Sequence, residues 1–119
     1  MALVAANIRR MYSATFIFAK KQFDEEFHRL DAAIALAARS MTGYLGEESW
    51  ENAASGQASS VYYWTSLEDL QCLIEHPLHL EAKANQSKWL NGYQVVISKV
   101  LRAYGDSKLV HPLRSSSTG

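Results

Sequence analysis

The chain has 119 residues with 12 basic and 12 acidic side chains, and this zero net charge removes the general attraction on which nonspecific nucleic-acid binding depends. Its length fits a single domain, and its composition, 48% hydrophobic and 20% charged, excludes a wholly disordered chain. No apolar run approaches the ~18–20 residues of a membrane span, and the opening residues lack the charge order of a secretory signal. We therefore expect a cytoplasmic protein with neither a nucleic-acid nor a membrane partner.

The first third of the chain predicts a strand followed by a helix. After a lead-in over residues 1–11, an aromatic and β-branched run predicts a strand over 12–20 with one strongly apolar face. Asp24 is suited to cap a helix, and apolar residues then recur at helical spacing as far as Met41, just before Gly43. This single apolar stripe indicates a helix that packs against the strand.

Two strands and a second helix follow. Strands are predicted over 44–51 and 60–65, and the small polar residues 52–59 between them are typical of a hairpin loop. Ser66 opens a sequence that resembles a capping box, so a helix is predicted from there to Glu75.

The last part of the chain predicts a further helix and a strand. Pro77 ends the preceding helix and is well placed as the first residue of another, which is predicted over 78–90 with Trp89 facing inward. A β-branched centre predicts the final strand over 93–104. Residues 107–119 are polar and are expected to form a frayed tail.

The element order β-α-β-β-α-β over residues 12–106 is the ferredoxin-like arrangement, which predicts an α+β domain whose antiparallel sheet carries its helices on one face. The other sheet face is left open, and apolar strand residues point to both sides. An exposed apolar face is costly, and self-association is an economical way to cover it. We therefore expect a homodimer that packs sheet face against sheet face.

The densest group of chemically unusual residues lies in the helix after Pro77. His79, Lys83 and Gln86 recur at spacings that place them on one helix face. A histidine titrates near neutral pH, so beside a lysine it is able to serve as a base next to a cationic site for a developing oxyanion. The same pattern is typical of a solvated polar helix face, which is the simpler interpretation.

The chain is also rich in aromatic residues for its size. Aromatic faces stack on planar molecules, so these side chains are candidates to line a pocket for an aromatic ligand. Filling the core or covering a dimer seam is the simpler interpretation for any one of them. The candidates are Trp50, Trp64, Trp89 and Tyr62.

The sequence offers no convincing metal site. His76 and His79 lie close together, but Pro77 interrupts the helix between them and no cysteine assists, so no metal is expected. His76 is interpreted instead as a helix C-terminal residue that the helix dipole favours. Cys72 lies on an apolar helix flank and is expected to be buried; as the single cysteine of the chain it forms no internal disulfide.

Several segments resemble one known family. They are residues 43–50 (GYLGEESW), 61–70 (VYYWTSLEDL) and 76–83 (HPLHLEAK), followed by the terminal strand. The most specific feature is a strand that ends in Trp, then Ser-Leu-Glu-Asp-Leu at a helix start, then His-Pro-x-His. On these motifs the chain is similar to the antibiotic biosynthesis monooxygenase (ABM) domain superfamily over nearly all of the predicted domain.

This resemblance implies a ferredoxin-like fold that dimerises through its sheets into an α+β barrel. It also implies that the chain acts as a cofactor-independent oxygenase on a small aromatic substrate of the quinol or anthrone type, which is deprotonated to a carbanion that reacts with O2 directly. By similarity Trp64 corresponds to the strand-ending Trp of the family, and His79 and Lys83 lie on the helix that faces the cavity. These three are the expected catalytic residues; the expected pocket residues are Tyr62, Trp50, His76 and Trp89.

Haem-degrading members of the superfamily use a helix histidine as the iron ligand and an asparagine on the first strand. Here the corresponding helix position holds Lys83, and residues 12–20 contain no asparagine, so haem degradation is not expected. The alternative to an oxygenase is a non-catalytic dimeric domain of the same fold that binds a small molecule.

Overall fold

The computed structural model describes residues 10–113, and its elements follow the predicted order over that range. The strands are β1 (Met11–Lys20), β2 (Tyr44–Asn52), β3 (Gln57–Trp64) and β4 (Leu90–Val100). The helices are α1 (Glu25–Arg39), α2 (Leu67–Ile74) and α3 (Pro77–Ala84), and a 3-10 turn (Gln86–Lys88) precedes β4. Most of the predicted lead-in, and residues 114–119 of the predicted tail, lie outside the described residues.

The four strands form one antiparallel sheet in the order β2-β3-β1-β4. The central pair, β1 and β3, places Tyr12 opposite Trp64 and Ala19 opposite Gln57. With its helices packed against one face, this is the ferredoxin-like α+β fold, and that prediction is confirmed. Within residues 10–113, no helix is long and apolar enough to cross a membrane.

The core lies between the helices and one face of the sheet, in two clusters of buried residues. Alternate residues of β1 contribute to both, because Tyr12 packs against the first cluster whereas Phe16 and Phe18 pack against the second. The first cluster contains Ala38, Trp64, Leu70 and Leu73, and the second contains Leu30, Trp89 and Leu90.

The first two helices begin where the sequence predicts, because polar side chains satisfy their free N–H groups. Asp24 accepts a hydrogen bond from the backbone of Phe27 at 2.9 Å, and Ser66 accepts one from the backbone of Asp69 at 3.1 Å. Burial of Cys72 was a wrong prediction, since this residue is exposed on α2. The buried residues of α2, such as Leu70, lie on another side of the helix. Cys72 follows Leu70 by two residues, so its side chain points away from them.

The boundaries around β4 differ from the prediction. α3 ends at Ala84 rather than near residue 90, and β4 runs over Leu90–Val100 rather than 93–104. Pairing with β1 explains where β4 begins and ends. Leu90 lies opposite Lys20 and Val100 lies opposite Met11, and β1 offers no partner beyond either position. Local composition had indicated a later start, whereas the pairing partner determines the register.

The remaining sheet face, which we call the open face, carries no helix. Beyond β4 the chain is highly exposed at Leu101 and Val110, and it then returns to the sheet. Residues 109–113, which we call the strap, lie beside β2: Pro112 contacts Gly46, and Leu113 is buried. Gly46 has φ +149°, and a Cβ atom built there would lie 2.7 Å from Cβ of Pro112, so this position requires glycine.

Candidate functional site

Trp64 lies at the centre of the helix–sheet interior. Its side chain is 0% exposed and packs among the residues of the first cluster, with its ring in edge contact with Tyr44 at a centroid distance of 5.6 Å. The indole Nε1 has no hydrogen-bond partner. A buried N–H without an acceptor costs about 1–3 kcal/mol, so this group is a candidate for binding a ligand oxygen.

Trp89 repeats this arrangement in the second cluster. It is buried against Leu30, its ring meets Phe27 edge-on at 5.5 Å, and its Nε1 also lacks a partner. The predicted inward orientation of Trp89 is therefore confirmed. Indole nitrogens only donate, so Trp64 and Trp89 present two buried donors to the interior.

His79 lies on α3 at the boundary between the clusters. Its ring hydrogen-bonds to the backbone of Ile74, which packs on the first cluster, while the neighbouring Leu78 packs on the second. Nδ1 of His79 is buried without a partner. A neutral imidazole with an unpartnered ring nitrogen is the state required of a general base.

The electrostatic surroundings hold this imidazole neutral. Burial lowers the pKa of His79 most, the hydrogen bond to Ile74 acts in the opposite direction, and the charges of Lys83 and His76 lower the pKa further. Lys83 itself is exposed, one helical turn beyond His79. Its charge disfavours protonation of His79, and the predicted catalytic pairing of the two residues remains a prediction.

His76 has a structural position that the sequence analysis did not anticipate. It is the N-cap of α3 rather than a residue at the C-terminus of α2, and its Nδ1 accepts the backbone N–H of Leu78 at 3.1 Å. Within residues 10–113 no three His, Cys, Asp or Glu side chains are grouped as a metal site requires.

A polar cluster beside Trp64 was missed by the sequence analysis. Glu47 on β2 accepts hydrogen bonds at 2.9 Å from Tyr44 and from Arg39, both through Oε1. Tyr62 is half-buried on the same face, and burial followed by the charges of Glu47 and Asp31 raises its pKa strongly. The alternation Tyr62–Tyr63–Trp64 indicates that Tyr62 shares the face of Trp64, but β2 showed no comparable apolar pattern that would have placed Glu47 there.

Asp31 completes this cluster from α1. Burial raises its pKa most, and the charge of Glu47 raises it further, against smaller opposing effects of His28 and Arg39. Two carboxylates therefore face one tyrosine at the rim of the interior. Such a group is able to exchange protons with a hydroxylated ligand.

Trp50 is separated from the other predicted pocket residues. It lies on the open face of β2, 65% exposed, and its Nε1 donates to Glu48 rather than to the interior. Strand alternation explains the separation. Glu48, which shares its face of β2 with Trp50, lies opposite Val61, and Val61 is on the same face of β3 as Tyr63 and on the opposite face from Tyr62. Trp64 and Tyr62 thus lie at the first cluster and Trp89 in the second, near opposite ends of β1, whereas Trp50 lies on the other face of the sheet.

Two surface grooves stand out among residues 10–113, and neither opens into this interior. One, of about 420 Å³, lies between β2 and the strap, and the other lies against Glu25, Glu26 and Arg29 of α1. The interior around Trp64 and Trp89 is filled by side chains. A ligand that binds there must therefore displace side chains or the helices that cover them.

Comparison with known proteins reveals relatives by structure only. No family model and no curated protein matches the sequence. SnoaB, a cofactor-independent oxygenase from Streptomyces nogalater, aligns with a TM-score of 0.63 and 10% identity over 79% of this chain and 96% of its own. A ferredoxin-like DABB-family protein from Mesorhizobium loti aligns at 0.57 and 12% identity over 77% of this chain and 98% of its own.

A candidate antibiotic biosynthesis monooxygenase from Chloroflexus aurantiacus aligns with a TM-score of 0.54 and 16% identity over 80% of this chain and 97% of its own. The chain has the fold of the ABM superfamily. Because the sequence identities are low, the similarity to these structures shows a shared fold but no shared activity. Activity must therefore be argued from the side chains of this ABM-fold chain itself.

Proposed function

We propose that this ABM-fold protein is a cofactor-independent oxygenase that acts on a small aromatic molecule with an acidic hydroxyl or methylene group. The observation that carries the proposal is a pair of buried ring nitrogens without partners, Nε1 of Trp64 and Nδ1 of His79. The indole N–H donates and the imidazole nitrogen accepts, so they suit a ligand that presents both a carbonyl oxygen and a removable proton. Quinols and anthrones have this pattern.

The chemistry assigned to each group follows from its state. Nδ1 of neutral His79 takes the substrate proton, and the indole N–H of Trp64 stabilises the enolate or phenolate oxygen. The electron-rich anion adds to O2 to give a peroxide, which loses water and leaves a new carbonyl. One O2 is consumed and one water is released for each substrate oxidised, and the substrate supplies all the electrons.

We also propose that the protein is a homodimer joined through the open faces of its sheets. On β4 the open-face residue Val96 is 43% exposed, and the described charged residues of β1, β3 and β4 do not lie on the central part of this face. A face of this kind is a normal interface between subunits.

A second candidate function is supported by a different observation. Within residues 10–113 the interior is closely packed and neither of the two surface grooves described above opens into it, as expected for a domain that binds a small molecule without turnover or that serves as a structural partner. In that case Trp64 and Trp89 are core residues, and substitutions there affect stability alone.

Oxygen uptake with anthrone and naphthoquinol substrates tests the proposal. We expect the parent protein to consume O2 above the rate of substrate autoxidation, and His79→Gln and Trp64→Phe each to lower kcat by about 10²–10³-fold, the usual loss for a general base or an oxyanion donor.

The matched control is Trp50→Phe, which removes an indole on the other side of the sheet and should leave the rate unchanged. A parent rate equal to autoxidation across the panel, or equal activity in parent and His79→Gln, contradicts the oxygenase proposal and favours the binding domain.

A further inference from the structure

The open face carries a single charged side chain within its central area. On β1 the open-face residues are Ser13, Thr15 and Ile17, which carry no charge. The residues opposite them on β3 and β4 are also uncharged. Glu48 of β2, opposite Val61, is the exception in this described part of the sheet. A carboxylate on a surface destined for burial is costly unless its acceptors are satisfied.

Glu48 receives an unusually complete set of donors. Trp50 donates its indole N–H to Oε1, Tyr63 donates its hydroxyl to Oε2 at 2.9 Å, and Nε2 of His111 contacts Oε2 as well. Burial alone would raise the pKa of Glu48, but these hydrogen bonds and the imidazole together hold it below its usual value. The carboxylate side chain is 18% exposed and already largely removed from water.

His111 reaches Glu48 because the strap is anchored on the sheet. Pro112 contacts Gly46, Leu113 is buried, and the ring of His111 meets the ring of Tyr63 at a centroid distance of 5.2 Å. The backbone N–H of Leu113 donates to Nδ1 of His111 at 3.0 Å. This contact leaves Nε2 to carry the proton that points at Glu48.

The dimensions of the face match those of a dimer interface. Four strands at ~4.8 Å spacing, with about nine residues at ~3.3 Å each, give a face of roughly 600 Å², comparable with the ~800 Å² that each partner contributes to a standard interface. The occupant that fits a flat sheet face of this size, neutral apart from Glu48, is a second copy of the same face.

We infer that the strap prepares the open face for a second copy of this chain by supplying, through His111, the donor that completes the hydrogen bonding of Glu48. This inference rests on the proposed homodimer. When the strap is in place, the central residues of the open face are uncharged except for Glu48, whose carboxylate oxygens accept hydrogen bonds from within the same chain. When His111 is missing, a partly unsatisfied carboxylate remains at the interface and opposes burial.

Sedimentation velocity of four proteins tests this inference: the parent, His111→Ala, Glu48→Gln and the double variant. We expect His111→Ala to raise the dimer Kd by about tenfold or more, because the substitution removes a donor and leaves the carboxylate of Glu48 partly unsatisfied. Glu48→Gln should stay near the parent value. The double variant should recover at least most of the affinity, because the group that His111 satisfies is no longer charged.

Lys108→Ala, an exposed substitution close to the strap, is the matched control and should leave Kd unchanged. Circular dichroism melting of each variant separates weak dimerisation from loss of fold. A parent dimer that is unaffected or tightened by His111→Ala overturns this inference alone, and so does a double variant as weak as His111→Ala. A parent that stays monomeric up to about 100 µM overturns the homodimer proposal and this inference with it.

Discussion

At the scale of single residues, the proposed chemistry requires His79 to be neutral in the folded protein. Its pKa is lowered mainly by burial, so the folded state resists protonation while the unfolded state accepts a proton near the ordinary value of 6.5. The protein therefore loses stability as pH falls below that value. We expect His79→Gln to lose less stability than the parent between pH 7.5 and pH 5.5, a range of about two units around the ordinary histidine pKa.

Urea unfolding at several pH values checks this prediction. Gln71→Ala is the control, since Gln71 is exposed and its replacement removes no titratable group, so the pH dependence of the parent should be unchanged. Identical slopes for the parent and His79→Gln would show that His79 protonates freely in the fold, which contradicts its role as a buried base.

Asp31 provides a prediction of opposite sign. Burial and the charge of Glu47 raise its pKa, so the folded state prefers the protonated acid and the parent loses stability as pH rises from about 4 through the raised pKa. We expect Asp31→Asn to be more stable than the parent at pH 7 by no more than about 1 kcal/mol, since the group is partly exposed.

The difference should vanish near pH 3, where both the folded and the unfolded parent carry a protonated acid. Thermal melting across this pH range measures it. A gain that persists unchanged at low pH would mean that the amide makes a new contact, and the assignment of Asp31 to the polar cluster around Tyr62 would then be wrong.

At the scale of elements, the start of α3 depends on His76. Its Nδ1 accepts the N–H of Leu78 where Pro77 has no N–H to offer, so the ring replaces a conventional cap. We expect His76→Ala to lower the free energy of unfolding by about 1 kcal/mol and His76→Asn, an efficient cap, to restore most of it.

Oxygen uptake by the same variants shows whether His76 belongs to the site or only positions α3. If His76 acts through the helix, His76→Asn retains the rate as well as the stability. A variant that is stable but inactive would instead place His76 among the groups that contact substrate.

At the scale of the whole molecule, the fold was predictable because its signals are local and agree with one another. The Asp24 and Ser66 caps and the order of strands and helices lead to one topology. The end of β4 was not predictable from composition, because it depends on the length of its partner β1. The position of Trp50 depends on the register of β2 around Gly46, where the pairing is irregular, and local alternation does not reveal that.

The same reasoning explains what the sequence revealed of the candidate site. Trp64 ends a strongly apolar strand, so its burial followed from the pattern, whereas Trp89 is buried in a separate cluster that no sequence spacing distinguishes from the first. Glu47 and Asp31 approach Tyr62 only in three dimensions, from an edge strand and from the flank of α1, and no spacing in the sequence connects them. Cys72 was misplaced because its neighbours are apolar, although its position on the helix turns it outward.

The central claim is that the interior between the sheet and the helices receives an oxygen-bearing aromatic ligand, and NMR of the indole N–H groups tests it most directly. The chain has three tryptophans, and Trp50, on the other face of the sheet, serves as the internal control. On titration with a hydroxyanthraquinone, which resembles an oxidised product, we predict that the indole signal of Trp64 shifts downfield while that of Trp50 stays in place. An unchanged Trp64 signal at saturating ligand, or a shift of Trp50 alone, would contradict this claim.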